Sequence, residues 1–482
     1  MTSKNIETTR YFSKDMQQQF ATLTGDWNPM HMDAIAARRT QPGAPVVHGI
    51  HTLLWALEWM AAEIPEFRLV RQIKVDFCKW VYVDTTASLI ISASNSREIK
   101  ARISVGGIVA AKITVVLGDV ELAAKKFSPE YHSHTTSRDA KELQFEEMAS
   151  QSGTVDVAAP PEELARLFPR LAGVVQPHRV AALGSLSRLV GMICPGLHSI
   201  FSGLNITFID DEMHDALVHY RVKQAIERYR MVTLEIEGLG IAGHVDTFSR
   251  VAPALQASMD SVARYVGADE FSGTHALIVG GSRGLGELTA KVIAAGGGDV
   301  TITYAVGKEE AEGVAKEIQE SGGRCGVIAF NALHPAAPQL RNLTKPVTHA
   351  YYYATGQIFR VKKGLYSPDI YREFTKFYVD SFVDLCQSLA TDISKSISVF
   401  YPSSVAVTDR PADMTEYAMA KAAGEVLCED INRYMPGVRV VVSRLPRLPT
   451  DQTLSVIPVR CSDPLEVILP IIRDVQGAET KS

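Results

Sequence analysis

Apolar residues cover most of the circumference of one segment, His48 to Ile64 (HGIHTLLWALEWMAAEI), with Leu53, Leu54, Trp55, Leu57, Trp59 and Met60 spread around it. A helix that is apolar nearly all round is a buried one. Strand-like runs follow at Gln72 to Val83, Ala87 to Ala93, Lys100 to Val105 and Ile108 to Leu117. The order then recurs. Val180 to Met192 (VAALGSLSRLVGM) is a second largely apolar helix, ended by Cys194-Pro-Gly, and strands are expected at Ile200 to Ile209, Ala216 to Val222, Met231 to Glu237 and Ile241 to Phe248. The polar stretch between the two, Ser128 to about Val157, holds His132 to Arg138 and reads as a linker. From Gly273 the pattern changes to short apolar strands alternating with amphipathic helices: His275 to Val279, a helix to about Ala295, Val300 to Tyr304, Glu309 to Glu320, and Gly326 to Phe330. That alternation predicts a parallel sheet with helices on both faces. Three blocks result, at 1–127, 158–255 and 272–482.

Size agrees with several cores, since 482 residues exceed what one core supports. A composition of 46% hydrophobic and 21% charged residues is that of a soluble globular protein. With a net charge of −5 and no long basic run, nucleic acid is not an expected partner. Met1 to Glu7 lacks the apolar core of a signal peptide, and runs such as Ile108 to Ala111 or Val440 to Val442 are too short to span a bilayer. The six cysteines show no CxxC or metal-like spacing, so no metal is expected, and they read as reduced thiols of a cytoplasmic protein. The final Thr-Lys-Ser is not a peroxisomal address.

Chemistry enters at Phe20-Ala-Thr-Leu-Thr-Gly-Asp26-Trp-Asn-Pro-Met-His31. A helix would put Asp26 and His31 on divergent faces. Asn28-Pro29 disfavours helix and turns the chain, so carboxylate and imidazole can converge. Taken singly, such an Asp is often only a turn former and such a His only structural. Together beside a pocket they are what acid–base chemistry on water and a carbon–carbon double bond requires. The whole string, with Pro45-Val-Val-His-Gly-Ile50, resembles the signature of the MaoC-like (R)-specific enoyl-thioester hydratases, a hot-dog-fold family, over about the first 120 residues. The resemblance implies that Asp26 and His31 are the catalytic pair and that the Gly49 backbone N–H polarises the thioester carbonyl. The helix-then-strands order, met twice, then suggests a double hot dog. Nothing in the second block matches the motif, and His198, in the turn Pro195 to Ser199 with no nearby carboxylate partner, reads as structural. That block would complete the sheet and shape the acyl tunnel.

The third block carries a second set. Gly280, Gly284 and Gly286 lie between strand and helix, where glycine lets the backbone turn tightly and approach a pyrophosphate. Tyr417 and Lys421, four apart, share one helix face, and Ser404 lies thirteen residues before the tyrosine. The block resembles the short-chain dehydrogenase/reductase family over about 210 residues. The resemblance implies a Rossmann fold in which Tyr417 protonates the substrate carbonyl oxygen, Ser404 hydrogen-bonds it, and Lys421 holds the nicotinamide ribose and lowers the tyrosine pKa. The cofactor would lie against Gly280, Ser282, Arg283, Gly284, Leu285, Gly286, Tyr304, Asn331, Ala354 and Gly356, with Tyr417 and Lys421. The second strand ends Thr303-Tyr304-Ala305-Val306 without an acid to repel a 2′-phosphate, and Arg283 sits in the glycine loop, so NADP(H) is favoured over NAD(H).

Several positions depart from the family pattern: Val279 before the first glycine, Tyr353-Ala-Thr-Gly356 at the fourth strand end, Asn331 for the adenine-pocket Asp, Arg447 after Pro446, and Asp380 aligned with the active-site asparagine. The expectation is a bifunctional enzyme. It reduces a 3-oxoacyl thioester with NADPH and dehydrates the 3-hydroxyacyl product to the trans-2-enoyl thioester, in fatty-acyl or polyketide-like biosynthesis. Acyl carrier protein or coenzyme A would carry the substrate, and both families point to a homodimer or homotetramer. Two alternatives stand beside it. One is hydration of enoyl-CoA followed by 3-hydroxyacyl-CoA oxidation in degradation. The other is a hydratase whose C-terminal domain only binds nucleotide or a partner chain.

Overall fold

A computed structural model describes residues 7–122, 137–210, 216–359, 364–390, 396–453, 459 and 461–477. Positions 128–136 of the expected linker and the C-terminal Thr-Lys-Ser lie outside these. The chain divides into two compact units, Met1–Ala252 with Ser455–Val459, and Pro253–Leu454 with Arg460–Ser482.

The first unit is built on one ten-stranded antiparallel sheet. Its strands are β1 (Glu7–Phe12), β2 (Val70–Phe77), β3 (Thr85–Ser94), β4 (Glu98–Val105), β5 (Ile108–Leu117), β6 (Ser152–Asp156), β7 (Ser199–Phe208), β8 (Leu217–Ile226), β9 (Met231–Gly238) and β10 (Ile241–Ser249). They run in the order β1-β3-β4-β5-β2-β7-β10-β9-β8-β6. Read inward from either edge, the two halves have the same connectivity, and β2 pairs with β7 at the seam from Gln72↔Thr207 to Asp76↔Gly203. Residues alternate between buried and solvated along β4 and β5, as for a sheet with one wet face. Each half supplies a helix to the covered face. The first half gives α2 (Gly49–Glu63), in which Ile50 to Leu57 are all buried, after α1 (Lys14–Thr24). The second gives α3 (Pro177–Arg188), buried from His178 to Ser187. One apolar cluster joins α2, α3 and the strands of both halves.

The stretch expected to be a linker is partly ordered. Ser152–Asp156 forms β6, paired with β8, and Glu142 bridges to Gly196. Short strands with few apolar residues leave little pattern to read, and Ser-Gly-Thr-Val-Asp buries only Val155 fully.

The second unit holds a six-stranded parallel sheet: β11 (His275–Val279), β12 (Asp299–Tyr304), β13 (Arg324–Ala329), β14 (His349–Tyr352), β15 (Ile397–Ser404) and β16 (Val438–Leu445). Their order, β13-β12-β11-β14-β15-β16, is the 3-2-1-4-5-6 sequence of doubly wound sheets. Its helices include α4 (Gly284–Ala295), α5 (Lys308–Glu320), α6 (Ser381–Leu389) and α7 (Thr415–Tyr434). Strand β11 is short, largely apolar and buried throughout. Among the described residues no helix is long and apolar enough to cross a membrane.

Candidate active sites

Asp26 follows α1 and its left-handed cap Gly25, and is 1% exposed. Asn28 then caps a four-residue helical turn, Pro29–Met32, by accepting from the Met30 N–H at 3.0 Å. Asn-Pro, expected to disfavour helix, here opens a helical turn: proline fits the first helical position, where its missing N–H would be unpaired anyway. Convergence follows all the same, because Asp26 stays outside the turn while His31 ends it. Both line a cavity of about 340 Å³ with Met30, Val46, Phe77, Ala110, Val190 and Phe201 among its apolar walls.

The carboxylate is held from two directions. Ser187 Oγ on α3 donates to Asp26 Oδ2 at 2.6 Å, and the Asn28 N–H donates to Oδ1 at 3.2 Å. Burial pushes the Asp26 carboxyl above its ordinary value, opposed by the neighbouring His31 and by those two donors. A carboxyl raised in this way can carry a proton at a pH where an exposed one could not. His31 Nδ1 lies 2.7 Å from the Val46 carbonyl oxygen. The proton is therefore assigned to Nδ1, leaving Nε2 as a base. Gly49 opens α2, so its N–H belongs to the first turn, whose donors have no partner within the helix. A Cβ there would stand 3.2 Å from the Phe77 ring, a tight approach that glycine avoids.

Three participants escape sequence reasoning. Ser187 carries no motif. Gly191, also from the second half, leaves room for Asp26, since a Cβ there would collide with Oδ1. Asn28 Nδ2 reaches across to the Gly191 carbonyl at 2.7 Å. The third is His48, fully buried and stacked on His31 with ring centroids 4.0 Å apart. Burial, then the charge of His31, holds its pKa well below the usual range, so it stays neutral. Its nitrogens lie 3.1 Å from Gln17 Oε1 and from the Asp26 carbonyl oxygen. Although no metal-like spacing is visible in the sequence, the fold brings ligand atoms of Asp26, His31 and His48 within 4.8 Å of one another.

His198 is not without a carboxylate: its Nε2 lies 2.9 Å from Glu142 Oε1. Glu142 falls in the stretch read as a linker, which is why the partner was not expected.

In the second unit Gly280 (φ +83°) ends β11 and Gly284 (φ +59°) opens α4. A Cβ on Gly286 would collide with the Gly280 carbonyl, so helix and strand close up as a nucleotide loop requires. Arg283, the N-cap of α4, makes no side-chain capping bond, and around Gly284 the space is open except for Thr450. A pyrophosphate fits such a helix start. Ser282 is buried beside the loop, Leu285 lies in the first turn, Tyr304 ends β12, and Ala354 and Gly356 follow β14. Asn331 Oδ1 is used locally, accepting from the Leu333 N–H at 3.0 Å. Arg283 is paired, with Nη1 3.0 Å from Asp451 Oδ2, an anion the sequence argument for the 2′-phosphate did not include.

Ser404 ends β15, and Tyr417 and Lys421 lie on α7. Burial pushes the Tyr417 phenol up to about 12, against a hydrogen bond with Ser404 that pulls it down. Lys421 is 5% exposed, donates to the Pro402 carbonyl at 2.6 Å and is pulled down to about 7 by burial. Asp380, aligned by sequence with the asparagine position, is exposed. The residue facing Lys421 is Tyr378, because a π-turn over Lys376–Asp380 adds a residue to the helix and shifts its faces.

Comparison with known proteins finds a family match within each unit. The model of the MaoC like domain matches residues 2–113, and that of the short chain dehydrogenase matches 274–451. The chain thus joins a MaoC-like domain to a short chain dehydrogenase domain. General stress protein 39 of Bacillus subtilis is 38% identical over 65 residues, 14% of this chain and 23% of that protein. The chain therefore spans less than a quarter of that curated relative. Among solved structures, a short chain dehydrogenase from Burkholderia cenocepacia in complex with NADP is 23% identical, covering 44% of this chain and 94% of that one, with a TM-score of 0.38. One from Salmonella enterica is 20% identical, with 44% and 94% covered and a TM-score of 0.39.

Proposed function

We propose that the chain is a bifunctional enzyme of acyl-thioester metabolism, reducing a 3-oxoacyl thioester with NADPH and dehydrating the resulting 3-hydroxyacyl thioester. The observation that carries it is the convergence of buried Asp26 and His31 on one largely apolar cavity of about 340 Å³ that Gly49 also lines. We read the repeated half-sheets of the first unit as a double hot dog and the 3-2-1-4-5-6 sheet of the second as a Rossmann fold.

In the dehydrating direction His31 Nε2 removes the α-proton while the Gly49 N–H stabilises the thioester oxygen. Asp26, entering as the carboxylic acid that burial favours, protonates the departing hydroxyl. Atoms balance: water leaves, and the double bond forms between the α and β carbons. In the second unit Tyr417 gives its proton to the ketone oxygen, Ser404 hydrogen-bonds that oxygen, and the charge of Lys421 eases release of the phenol proton. NADPH, when bound at the glycine loop, supplies the hydride. Both steps concern the same three carbons, so carrying them on one chain raises the local concentration of intermediate. The carrier would be acyl carrier protein or coenzyme A, the assembly a homodimer or homotetramer, and the compartment the cytoplasm, in keeping with six unbridged cysteines.

A second reading has support from Lys421, whose ammonium is buried and engaged by Pro402. On it, the second unit binds nucleotide without turnover. Purified protein with NADPH and acetoacetyl-CoA separates the two. Loss of nicotinamide absorbance with appearance of 3-hydroxyacyl and enoyl thioesters by mass spectrometry is expected. Enoyl hydration without NADPH oxidation for any 3-oxoacyl thioester would leave only the second reading.

A further inference from the structure

One buried aromatic residue at the Ser404–Tyr417–Lys421 centre has no part in the chemistry above. Tyr378, fully buried in the π-turn, turns its ring face to Lys421, with the ammonium nitrogen 3.8 Å from the ring centroid. Its ring meets that of Tyr417 edge-on, centroids 5.7 Å apart and planes at 85°. Its hydroxyl lies 2.5 Å from Thr355 Oγ1, in the loop that follows β14. The turn is pinned on α7 as well, because Gly424 has no room for a Cβ between the Tyr401 hydroxyl and the Tyr378 carbonyl oxygen.

We propose that Tyr378 is a positioning residue of this centre: its ring holds the Lys421 ammonium beside Tyr417. The proposal rests on the reductase reading given above. A phenol ring offers a cation its electron-rich face, and the attraction is strongest where water is excluded. Water is excluded here. Among the described residues, the other neighbours of Lys421 include the Pro402 carbonyl, the Tyr401 ring at 5.0 Å, the Tyr417 ring at 5.9 Å, and Glu425 and Cys428 on its own helix. Glu425 is engaged in turn, accepting from Ser403 at 2.5 Å and from Arg444 at 2.6 Å. Against the pull of burial, which brings Lys421 down to about 7, the charged form is favoured by Cys428 and Glu425, and the Tyr378 ring face 3.8 Å from the ammonium adds to that support.

The test uses the full chain and reads NADPH affinity, by nicotinamide fluorescence without acyl substrate, from the mildly acidic to the mildly alkaline range. Tyr378→Phe keeps the ring and should keep the wild-type midpoint. Tyr378→Leu removes it, so the cation is lost at lower pH, and the midpoint should fall by about one pH unit. Ketone reduction by the leucine variant should fall in kcat with KM little changed. A folded leucine variant that binds NADPH with the wild-type midpoint would overturn the proposal. If that variant does not fold, Tyr378→Met carries the same expectation. Loss of folding in both would overturn the positioning role in favour of a purely structural one. Wild-type protein that binds NADPH but reduces no 3-oxoacyl thioester would sink the reductase reading, while a shifted midpoint would still support the Tyr378–Lys421 contact. No NADPH binding by the wild type would overturn both.

Discussion

Ser187 Oγ donates a 2.6 Å hydrogen bond to Asp26 Oδ2 across 161 residues of chain, so the half-sheet without a motif supplies the donor that steadies the half-sheet with one. A buried carboxylate needs such donors, because nothing else replaces the water it has lost.

Ser187→Ala should therefore raise the Asp26 carboxyl further, since a donor to the charged form is removed. Dehydration should fall about tenfold or more, the worth of one hydrogen bond to a charged group. The limb of the pH–rate profile due to Asp26 should move to higher pH. An unmoved profile would show that the serine only fills space.

Asp26→Asn should lower dehydration by about 10² to 10⁴, the usual range for an acid–base group. It should also stabilise the first unit at neutral pH. Burial raises the folded carboxyl above its unfolded value of 3.8, so below that value both states are protonated and the residue costs nothing. As pH rises through the folded pKa the buried charge must form, and stability is lost. The asparagine variant escapes that loss. Thermal unfolding should show a gain at neutral pH that shrinks toward pH 3.8.

Arg283→Ala should weaken NADPH binding more than NADH binding, as only NADPH carries the 2′-phosphate. The pairing with Asp451 adds a second effect. Asp451 is 7% exposed, and removing Arg283 takes away its 3.0 Å ion-pair contact, so unfolding of the second unit should come at lower temperature. Adding Asp451→Asn should restore stability without restoring NADPH preference. Equal losses for both cofactors would mark Arg283 as structural alone.

Tyr417→Phe should abolish ketone reduction and spare dehydration, and Asp26→Asn should do the reverse with 3-hydroxyacyl thioester accumulating. Mixed, the two variants should convert 3-oxoacyl to enoyl thioester more slowly than the intact chain, because the intermediate must diffuse between molecules. Chromatography of acyl thioesters over time reads both outcomes. Failure of complementation by two folded variants would mean that the sites do not act in series.

What could be read from the sequence was what local physics writes into it. The α2 segment is apolar around its axis because it is wrapped by a sheet, and β11 with its glycines reads as a strand feeding a helix. The Asp26–His31 spacing was legible because His31 lies in the short turn that Asp26 directly precedes. Ser187, Gly191 and Glu142 were not, since each matters only through a partner distant in the chain. Tyr378 was hidden by the π-turn, which spoils counting from Asp380 at regular helical spacing. The Arg283–Asp451 pair likewise exists only once β16 has returned the chain to the glycine loop.

The seam between β2 and β7 governs what the first unit could become on its own. A chain cut before β6 would bare the backbone donors and acceptors of β2 that now pair with β7 from Gln72↔Thr207 to Asp76↔Gly203. The nearest substitute is the same edge of another molecule, giving a symmetric pair with two dyads, each facing a wall with no Ser187. Holding both halves in one chain thus gives the Asp26–His31 pair a wall from the other half in place of a second such pair. Residues of that wall are left to serve the one pair alone, since they carry none of their own.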